Sequence, residues 1–502
     1  MLCGLDFPEP FAYPARMKTA PFAASFCALV TASLTAGATE YTVTTSADVL
    51  DKLQNAAPGD IIKVAPGTYS FDDKIRLNKT GTPDKPIVLR GDGDVGTVIF
   101  QTPGPEGFYI PGTDYTVEKI WLQCQGGDCN GAAGFSIKET ARRITISQCR
   151  TTDFYQHYKG SMVLGAGAED VTIQNSEAYN TASYAGNSNV INLDGGKRWR
   201  VIGNYVHDYG NQAISYGIFF KGGTSESVME KNLVACSHDR ASTGDSVLGI
   251  SFGGGRMGVQ YCAPDNVGSG GCRCEDTGGI ARNNIVVGCN DSALHVNSGC
   301  GSKFLNNLVD SPSTTLQIQS FEGTGAIVVK NNVFSGNVPS SNVDASDNLT
   351  GVSAAQLAQY YKDPTSLDWS DGPKASDLGG APALADVTDD YCGKARGNAP
   401  SHGPIEMPAA CATWPWKGAA TPGATGSGGG SSSSASGSGA TTSSSGAGGS
   451  GGEGGSGDSD AKGGCAWAAS TPSSAWGSAI ALALAAALAR RRSRDAVASR
   501  RG

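Results

Sequence analysis

The chain repeats a pattern of short strands and asparagine-containing turns with a period of about 25 residues, and this repeat most constrains its fold. A single coil of this size cannot bury its apolar face, so coils must stack on one another. Strand-type alternation with glycine and asparagine corners predicts an all-β solenoid, with asparagine amides bonded from coil to coil. The spacing is nearly even except for one step about twice as long, from Asn232 to Asn284. The asparagines that follow the second strands are Asn175, Asn204, Asn232, Asn284, Asn307 and Asn332.

Another short strand precedes each turn, and its outward side chains form two columns that we take as the candidate functional face. Equivalent positions of adjacent coils are expected about 4.8 Å apart, which makes Asp194 and Lys221 neighbours. The alternative is an ordinary solvated sheet face with one cross-strand ion pair. The first column is Ser136, Val163, Asn192, Phe219, Ser251, His295 and Gln317. The second column is Lys138, Gly165, Asp194, Lys221, Gly253, Asn297 and Gln319.

The repeat and three segments of the chain resemble right-handed parallel β-helix proteins of the pectate-lyase-like superfamily. Residues 57–69 (APGDIIKVAPGTY) and 81–93 (GTPDKPIVLRGDG) resemble the start of chondroitinase B-like and alginate lyase-like chains, and 386–406 resembles the chain end of such secreted proteins. The resemblance implies a right-handed parallel β-helix over 41–406, with a short capping helix Ser46–Ala56 whose N-cap is Ser46. It does not fix the activity, because lyases, hydrolases, epimerases, esterases and adhesins share this fold.

One coil carries an insertion of about 25 residues, which accounts for the long step between Asn232 and Asn284. It runs over Arg256–Gly278 and contains three cysteines. Long loops in compact folds are usually functional or disordered, and the cysteines argue against disorder. We expect this loop to wall one side of the outward face near Lys221 and His295. A second excursion, Ser237–Asp245, brings His238 to the same end.

Eleven cysteines lie between the two chain ends, so at least one of them is unpaired. The close pairs Cys124/Cys129, Cys289/Cys300 and Cys392/Cys411 are plausible bridges, although connectivity cannot be deduced from spacing. A structural zinc site is not expected, because no Cys/His pair with zinc spacing follows the Cys-Arg-Cys segment at 272–274.

The N-terminal residues 1–38 are predicted to be a leader. We expect translation to begin at Met17, since residues 1–16 do not fit a signal peptide. A short basic region and an apolar stretch then end in the small-x-small site before Thr39. The alternative, an N-terminal membrane anchor, requires a longer apolar run.

The C-terminal part divides into a Gly/Ser-rich linker over 418–464 and a tail over 465–502, which follow a β-helix domain over 39–417. Cys465, an Ala/Leu run and a closing Arg cluster resemble the myxobacterial C-terminal sorting tail. That resemblance implies processing at Cys465 by cell-envelope sorting machinery and a location on the cell surface, outer-membrane-anchored or secreted. A plain transmembrane tail anchor is the alternative.

The charge distribution restricts the partners. The segment Arg490–Gly502 carries a net charge of +5 and residues 1–38 carry none, so the rest of the chain carries −13 against an overall −8. A region this acidic binds nucleic acid poorly, and the sequence contains no nucleotide-binding loop. The partner that remains is an extracellular polysaccharide, and an anionic one needs a local basic site.

The leading hypothesis is a polysaccharide lyase of uronic-acid polymers. We expect Lys221 or His295 as the base and Arg256 or Arg273 as the group that neutralises charge, with calcium as the candidate cofactor. Asp194 should raise the pKa of Lys221, which makes Lys221 a carboxylate-binding cation and His295 the better proton acceptor. The residues expected to bind substrate are Asn192, Asp194, Phe219, Asn297, Gln317 and Gln319.

Two other functions remain open at this stage, a non-catalytic carbohydrate-binding or adhesive β-helix and a passive surface spacer. The calcium-binding acid cluster and the basic motifs of the lyases cannot be placed residue by residue in this sequence. The absence of those signatures favours a binding protein over an enzyme.

Overall fold

A computed structural model describes residues 38–411 except 127–128, 185, 211–213, 240–245, 255–256, 320–325 and 340–342. The predicted leader up to residue 37, the Gly/Ser linker and the tail with Cys465 lie outside the described residues. Within the described part, no helix is both long enough and apolar enough to cross a bilayer.

Three long sheets, in which every paired strand is parallel to its neighbour, build the protein. Sheet A has twelve strands: Glu40–Val43, Ile61–Val64, Ile87–Gly91, Thr113–Glu118, Arg142–Ser147, Glu169–Gln174, Arg200–Ile202, Val228–Glu230, Ile280–Arg282, Lys303–Leu305, Ile327–Lys330 and Val343–Ser346. Sheet B has ten: Gly67–Ser70, Val98–Thr102, Trp121–Cys124, Arg150–Thr152, Glu177–Tyr179, Tyr205–His207, Leu233–Ala235, Ile285–Val287, Leu308–Asp310 and Val333–Phe334. Sheet C has nine: Ile75–Arg76, Glu106–Ile110, Ala133–Ile137, Gln156–Gly160, Asn189–Asp194, Ile214–Lys221, Ser246–Phe252, Ser292–Asn297 and Thr314–Gln319.

Smaller elements decorate this frame. The α-helices are Ser46–Asn55 and Ala354–Tyr360. The 3-10 helices are Cys129–Gly131, Val259–Tyr261, Pro264–Asn266, Pro364–Ser366 and Ala375–Leu378. The short strands are Met162–Val163, Ala166–Gly167, Thr224–Ser225, Val267–Gly268, Gly271–Cys272, Asp276–Thr277, Gly299–Cys300, Tyr361–Asp363 and Asp368–Asp371.

The chain visits sheets A, B and C in turn and then begins the next coil, so the predicted all-β parallel β-helix is confirmed. Inward side chains stack along the axis because parallel pairing places equivalent residues next to each other. The rings of Phe108, Phe135 and Tyr158, for example, follow one another at centroid distances of 4.9 and 5.2 Å. All three are fully buried.

A ladder of asparagine amides joins the coils at the corner between sheets A and B. Along the ladder, each Nδ2 donates to the Oδ1 of the next asparagine at 2.9–3.0 Å and to a backbone carbonyl of the preceding coil. The same Oδ1 also accepts the backbone N–H of the asparagine before it. The ladder is Asn204, Asn232, Asn284, Asn307, Asn332 and Asn348.

The predicted ladder position of Asn175 is wrong by one residue. Asn175 occupies the corner itself, with a φ of 51°, and Ser176 takes the ladder position, where its N–H donates to Asn204 at 3.0 Å. The N-cap prediction also shifts by one: Thr45 caps the first helix by accepting a hydrogen bond from the Asp48 N–H at 3.1 Å. Corner residues tolerate positive φ only when they are glycine or, with some strain, polar residues such as asparagine.

One predicted strand is wrong. The segment 161–167 is predicted to supply Val163 and Gly165 to the outward columns, but it forms a hairpin that leaves the sheet. The strand Gln156–Gly160 takes its place and pairs with both neighbouring coils. Val163 is apolar, so hydrophobicity alone predicts a buried strand residue at this position. In the structure its side chain is exposed at the hairpin.

The end of the described chain folds back over the outer side of sheet B. Leu233, Ile285, Leu308 and Val333 project from that side into a second apolar core with the segment 352–411. This core contains the buried side chain of Trp369.

Five disulfides staple the described part of the chain, which fits an oxidising compartment outside the cytoplasm. The predicted Cys124–Cys129 and Cys392–Cys411 bridges are confirmed. The predicted Cys289–Cys300 bridge is wrong, because each of these residues pairs with a neighbouring coil or the insertion instead. The remaining bridges are Cys236–Cys289, Cys262–Cys272 and Cys274–Cys300, and buried Cys149 is unpaired.

The ladder predicts a large effect of Asn284→Ala on stability. The substitution leaves the buried N–H of Asn232 without its acceptor and deprives Asn307 of a donor, and each such group costs about 1–3 kcal/mol. We expect the free energy of unfolding in urea to fall by about 2–4 kcal/mol. The control Asn55→Ala, on the exposed side of the first helix, should change it by less than about 0.5 kcal/mol. Equal effects of the two substitutions would contradict this role of the ladder.

Candidate functional site

On sheet C, the residues of the outward columns pair with each other as predicted in every coil whose predicted strand is correct. Asn192, Phe219, Ser251, His295 and Gln317 are consecutive partners across five strands. In the second column, the predicted Asp194–Lys221 and Asn297–Gln319 neighbours are likewise paired.

The corrected strand places Lys159 in the first column, between Ser136 and Asn192. Sequence reasoning misses this residue because the neighbouring hairpin resembles a strand of the repeat. The signal that identifies Lys159 is the register itself, since only Gln156–Gly160 pairs with the strands on both sides.

Asp194 lies between two ammonium groups. Lys159 forms a close ion pair with its Oδ2, and the Lys221 Nζ is 3.9 Å from its Oδ1. Asn192, with its amide turned so that both ends are satisfied, donates to Asp194 Oδ1 at 2.8 Å and accepts from Gln156 and Lys159. The carboxylate therefore fixes the positions of both lysines.

Glu106 repeats this arrangement three coils earlier. It contacts Lys74 at 2.6 Å and pairs with Lys138, and it accepts a hydrogen bond from Ser136 at 2.8 Å. Burial alone would raise the pKa of Glu106, but its bonds to Lys138, Lys74 and Ser136 lower that pKa to about 2. The Tyr109 ring lies under Lys74 and Lys138, with distances from Nζ to the ring centroid of 4.8 and 4.7 Å.

We call Lys138, Lys159 and Lys221, with Asp194, the lysine cluster. Burial lowers the pKa of Lys159, and the charges of Lys221 and Lys138 lower it further, while Asp194 acts in the opposite direction. The three lysine side chains remain 18–21% exposed. A lysine that gives up its proton more readily than usual is suited to act as a base.

Several predicted binding residues are covered rather than open to solvent. Asn192, Phe219 and His295 are each 2% exposed or less. Phe219 stacks on Tyr216 with a centroid distance of 4.5 Å and lies under the Lys221 Nζ at 5.2 Å. The structure therefore leaves these three side chains little surface for contact with a sugar. Phe219 lies against Lys221 instead, and Asn192 bonds to Asp194 and Lys159.

His295 is separated from Lys221 by a full coil, and its Nδ1 lies 2.9 Å from the Ser251 hydroxyl. Burial lowers the pKa of His295 to about 4, so the ring is neutral at neutral pH. A neutral ring can accept a proton, but the cover over His295 argues against the predicted catalytic role. Asn297 donates to Gln319 at 3.1 Å and is buried, whereas Gln319 is exposed.

The insertion lies beside Lys221, as predicted. A side chain at Gly254 would meet the Phe219 ring at 2.8 Å and Lys221 at 3.2 Å, so the loop backbone covers these residues closely. The predicted catalytic residue Arg256 lies outside the described residues. Arg273 is exposed, and its guanidinium is 3.4 Å from the Val267 carbonyl oxygen.

Two adjacent carboxylates anchor the far end of the insertion. Glu275 accepts hydrogen bonds from the Gly254 and Met257 N–H groups at 3.0 and 2.6 Å, which closes the loop at its base. Asp276 accepts from the Thr224 hydroxyl at 2.9 Å and the Gly279 N–H at 3.0 Å. Burial raises the pKa of both acids to about 7.

The face does not fit the candidate calcium ion. Calcium takes six to eight oxygen ligands, mostly carboxylates and carbonyls. On this face Glu106 and Asp194 each contact two lysines, so a cation placed at either carboxylate would meet two ammonium groups.

One group of potential metal ligands occurs among the described residues, and it lies on sheet B and the turn that follows. It comprises His207, Asp208 and Asp239. Burial alone would lower the pKa of His207, but its bonds to Asp208 and Glu177 outweigh burial and raise it. Asp208 and Glu177 thus hold both ring nitrogens of His207, Nδ1 at 2.7 Å and Nε2 at 3.3 Å.

The solved structure of a pectate lyase shares this fold. The pectate lyase Pel9A aligns with a TM-score of 0.52 at 18% identity, over 74% of this chain and 96% of that one. A rhamnogalacturonan lyase aligns with a TM-score of 0.42 at 15% identity, over 63% and 88%. An alginate lyase from Paenibacillus sp. str. FPU-7 has a TM-score of 0.33 at 15% identity, over 57% and 98%. No protein-family model and no curated protein matches the chain.

The buried carboxyl group of Asp276 should lower the free energy of unfolding as pH rises. Its pKa is about 7 in the folded protein against 3.8 for the ordinary group, so folding becomes less favourable as pH rises from about 4 to 7. Asp276→Asn keeps the partners, since its amide can donate to Thr224 and accept from Gly279. Relative to wild type, the free energy of unfolding of this variant should rise by about 2–4 kcal/mol between pH 4 and pH 8. The control Asp84→Asn is exposed, and a parallel pH dependence for both variants would contradict the assignment.

Proposed function

We propose that the outward face of sheet C binds an acidic polysaccharide and cleaves it by β-elimination, with Lys159 as the base. The observation that carries the proposal is the lysine cluster, in which three lysines share one short stretch of an otherwise acidic protein. Each carboxylate of a uronic-acid chain would find an ammonium group there.

The chemistry needs one proton acceptor and neutralisation of one negative charge. Neutral Lys159 Nζ removes the proton from the carbon next to the sugar carboxylate. The electron pair of that C–H bond forms a carbon–carbon double bond, the glycosidic C–O bond breaks, and the leaving oxygen takes up a proton from solvent or from the protonated lysine. Lys221 and Lys138 offset the charge that develops on the carboxylate.

Asp194 has two opposed effects in this proposal. It positions Lys159 and Lys221 on either side of its own coil, and it also favours the protonated form of Lys159. Burial and the two neighbouring lysines oppose that second effect, and the lowered pKa of Lys159 is the net result.

The alternative is a non-catalytic carbohydrate-binding protein. The close Lys159–Asp194 ion pair favours it, because Asp194 acts to raise the pKa of Lys159 and so opposes the loss of the proton that a base must first give up. Binding and cleavage are therefore measured separately.

Lys159→Arg tests the base directly, because arginine keeps the positive charge but stays protonated at all relevant pH values. Unsaturated product is followed by ultraviolet absorbance with the full chain on polygalacturonate, alginate and rhamnogalacturonan. We expect turnover to fall about 10²–10⁴-fold while polymer binding is retained.

The matched control is Lys330→Arg, which alters a lysine of sheet A paired with Asp344 at 3.0 Å. It should leave turnover unchanged. Wild-type protein that binds a polymer without producing any unsaturated product would support the binding alternative, and full activity of Lys159→Arg would exclude Lys159 as the base.

We also propose that the protein acts at the cell surface, held through Cys465. The five disulfides support export, and the tail sequence supports retention. Cys465→Ala should release the protein into the medium, measured by immunoblotting of the cell and medium fractions. Unchanged retention of this variant on cells would argue for a plain tail anchor.

A further inference from the structure

The exposed apolar side chains of this protein are concentrated on two loops. Seven large apolar residues are exposed within the described part of the chain, and five of them lie on the hairpin 161–168 and the insertion segment 257–278. Those five are Val163, Leu164, Val259, Tyr261 and Val267. Leu164 is 61% exposed and Tyr261 45%. A concentration of this kind marks a contact surface more often than chance exposure.

Both loops leave sheet C at the same edge. The hairpin begins directly after the strand Gln156–Gly160, and three residues separate the insertion from the strand Ser246–Phe252. The two strands between them, Asn189–Asp194 and Ile214–Lys221, end at that same edge with Asp194 and Lys221. The loops therefore border the lysine cluster.

The hairpin bridges the gap between its own coil and the insertion. Met162 lies over two glycines of the intervening coils, where a side chain would meet it at 2.7 Å on Gly195 and 2.6 Å on Gly222. At the hairpin tip, a side chain on Gly165 would meet the Ala263 backbone nitrogen of the insertion at 2.7 Å. Hairpin and insertion thus form one continuous structure, which we call the apolar wall.

The wall is held in place rather than loosely attached. Two disulfides, Cys262–Cys272 and Cys274–Cys300, tie the insertion to itself and to the next coil. The carboxylate of Glu275 closes its base through two backbone N–H groups. A surface displayed so rigidly binds a ligand with little loss of conformational entropy.

We propose that the apolar wall binds the sugar rings of the same acidic polysaccharide that the lysine cluster binds through its carboxylates. The inference rests on the proposed function and adds specificity-determining residues to it, chiefly Leu164 and Tyr261. A sugar ring carries hydroxyl and carboxylate groups around its rim and C–H groups on its two faces, so it matches an ammonium row bordered by an apolar and aromatic surface. Continuity of the wall with the cluster favours this ligand over a second copy of the protein.

The test measures affinity separately from cleavage. In the Lys159→Arg background, full-length protein is titrated with polygalacturonate, alginate and rhamnogalacturonan, and Kd is measured by calorimetry. The double substitution Leu164→Ser/Tyr261→Ser should raise the Kd of the bound polymer about tenfold. The matched control Leu50→Ser, an exposed leucine of the first helix, should leave Kd unchanged.

Each outcome decides between the proposals. Wild-type protein that binds none of the three polymers overturns the proposed function and this inference together. Polymer binding that is unaffected by the double substitution overturns the wall alone and leaves the lysine cluster standing. A sedimentation shift from dimer to monomer on Leu164→Ser/Tyr261→Ser, with Kd unchanged, assigns the wall to self-association and also overturns the inference. Circular dichroism confirms that each variant is folded.

Discussion

The stacking of coils through buried asparagine amides is the constraint on which the other features of this protein rest. An amide that both donates to and accepts from its neighbour fixes the distance and the register of consecutive coils, and it leaves few buried polar groups unpaired at the corner. Once the register is fixed at one corner, side chains on the distant sheet C are aligned as well. The meeting of Asp194 with Lys221, which belong to successive coils, follows from this alignment.

The candidate site uses that alignment in two ways. Parallel register stacks lysines from separate coils around Lys159, whose pKa is lowered chiefly by burial and further by the charges of Lys221 and Lys138. The same edge of the sheet also releases the two excursions that make the apolar wall. Insertions at a strand end leave the stacked core intact, so a repeat fold can acquire a binding surface there with little loss of stability. Glycine is favoured at 195 and 222, because both have positive φ and a Cβ there would lie 2.7 and 2.6 Å from the Met162 side chain.

Much of the fold follows from the sequence, because the periodicity of apolar residues and asparagines reports the coil length directly. The outward columns at Asn192, Phe219 and His295 have the predicted register for that reason. The prediction fails at the coil 156–167, because exposed Val163 and Leu164 resemble buried strand residues when only hydrophobicity is considered. That error conceals Lys159.

Contacts between distant segments cannot be predicted from the sequence pattern either. Cys236 and Cys289 bond across adjacent coils although 53 residues separate them, so proximity in sequence favours the wrong pair. The column pattern predicts which side chains point outward from the sheet. It does not predict which of these side chains are buried by other segments, as His295 is.

One outward stretch of sheet C, between the lysine cluster and the apolar wall, is proposed to receive an acidic sugar chain. A crystal structure of the Lys159→Arg protein in complex with a galacturonate oligosaccharide tests that proposal directly. We predict sugar density over Lys159, Asp194 and Lys221, with carboxylates near Lys138 and Lys221. Sugar bound on sheet A or along sheet B, with this stretch of sheet C empty, would refute the proposal.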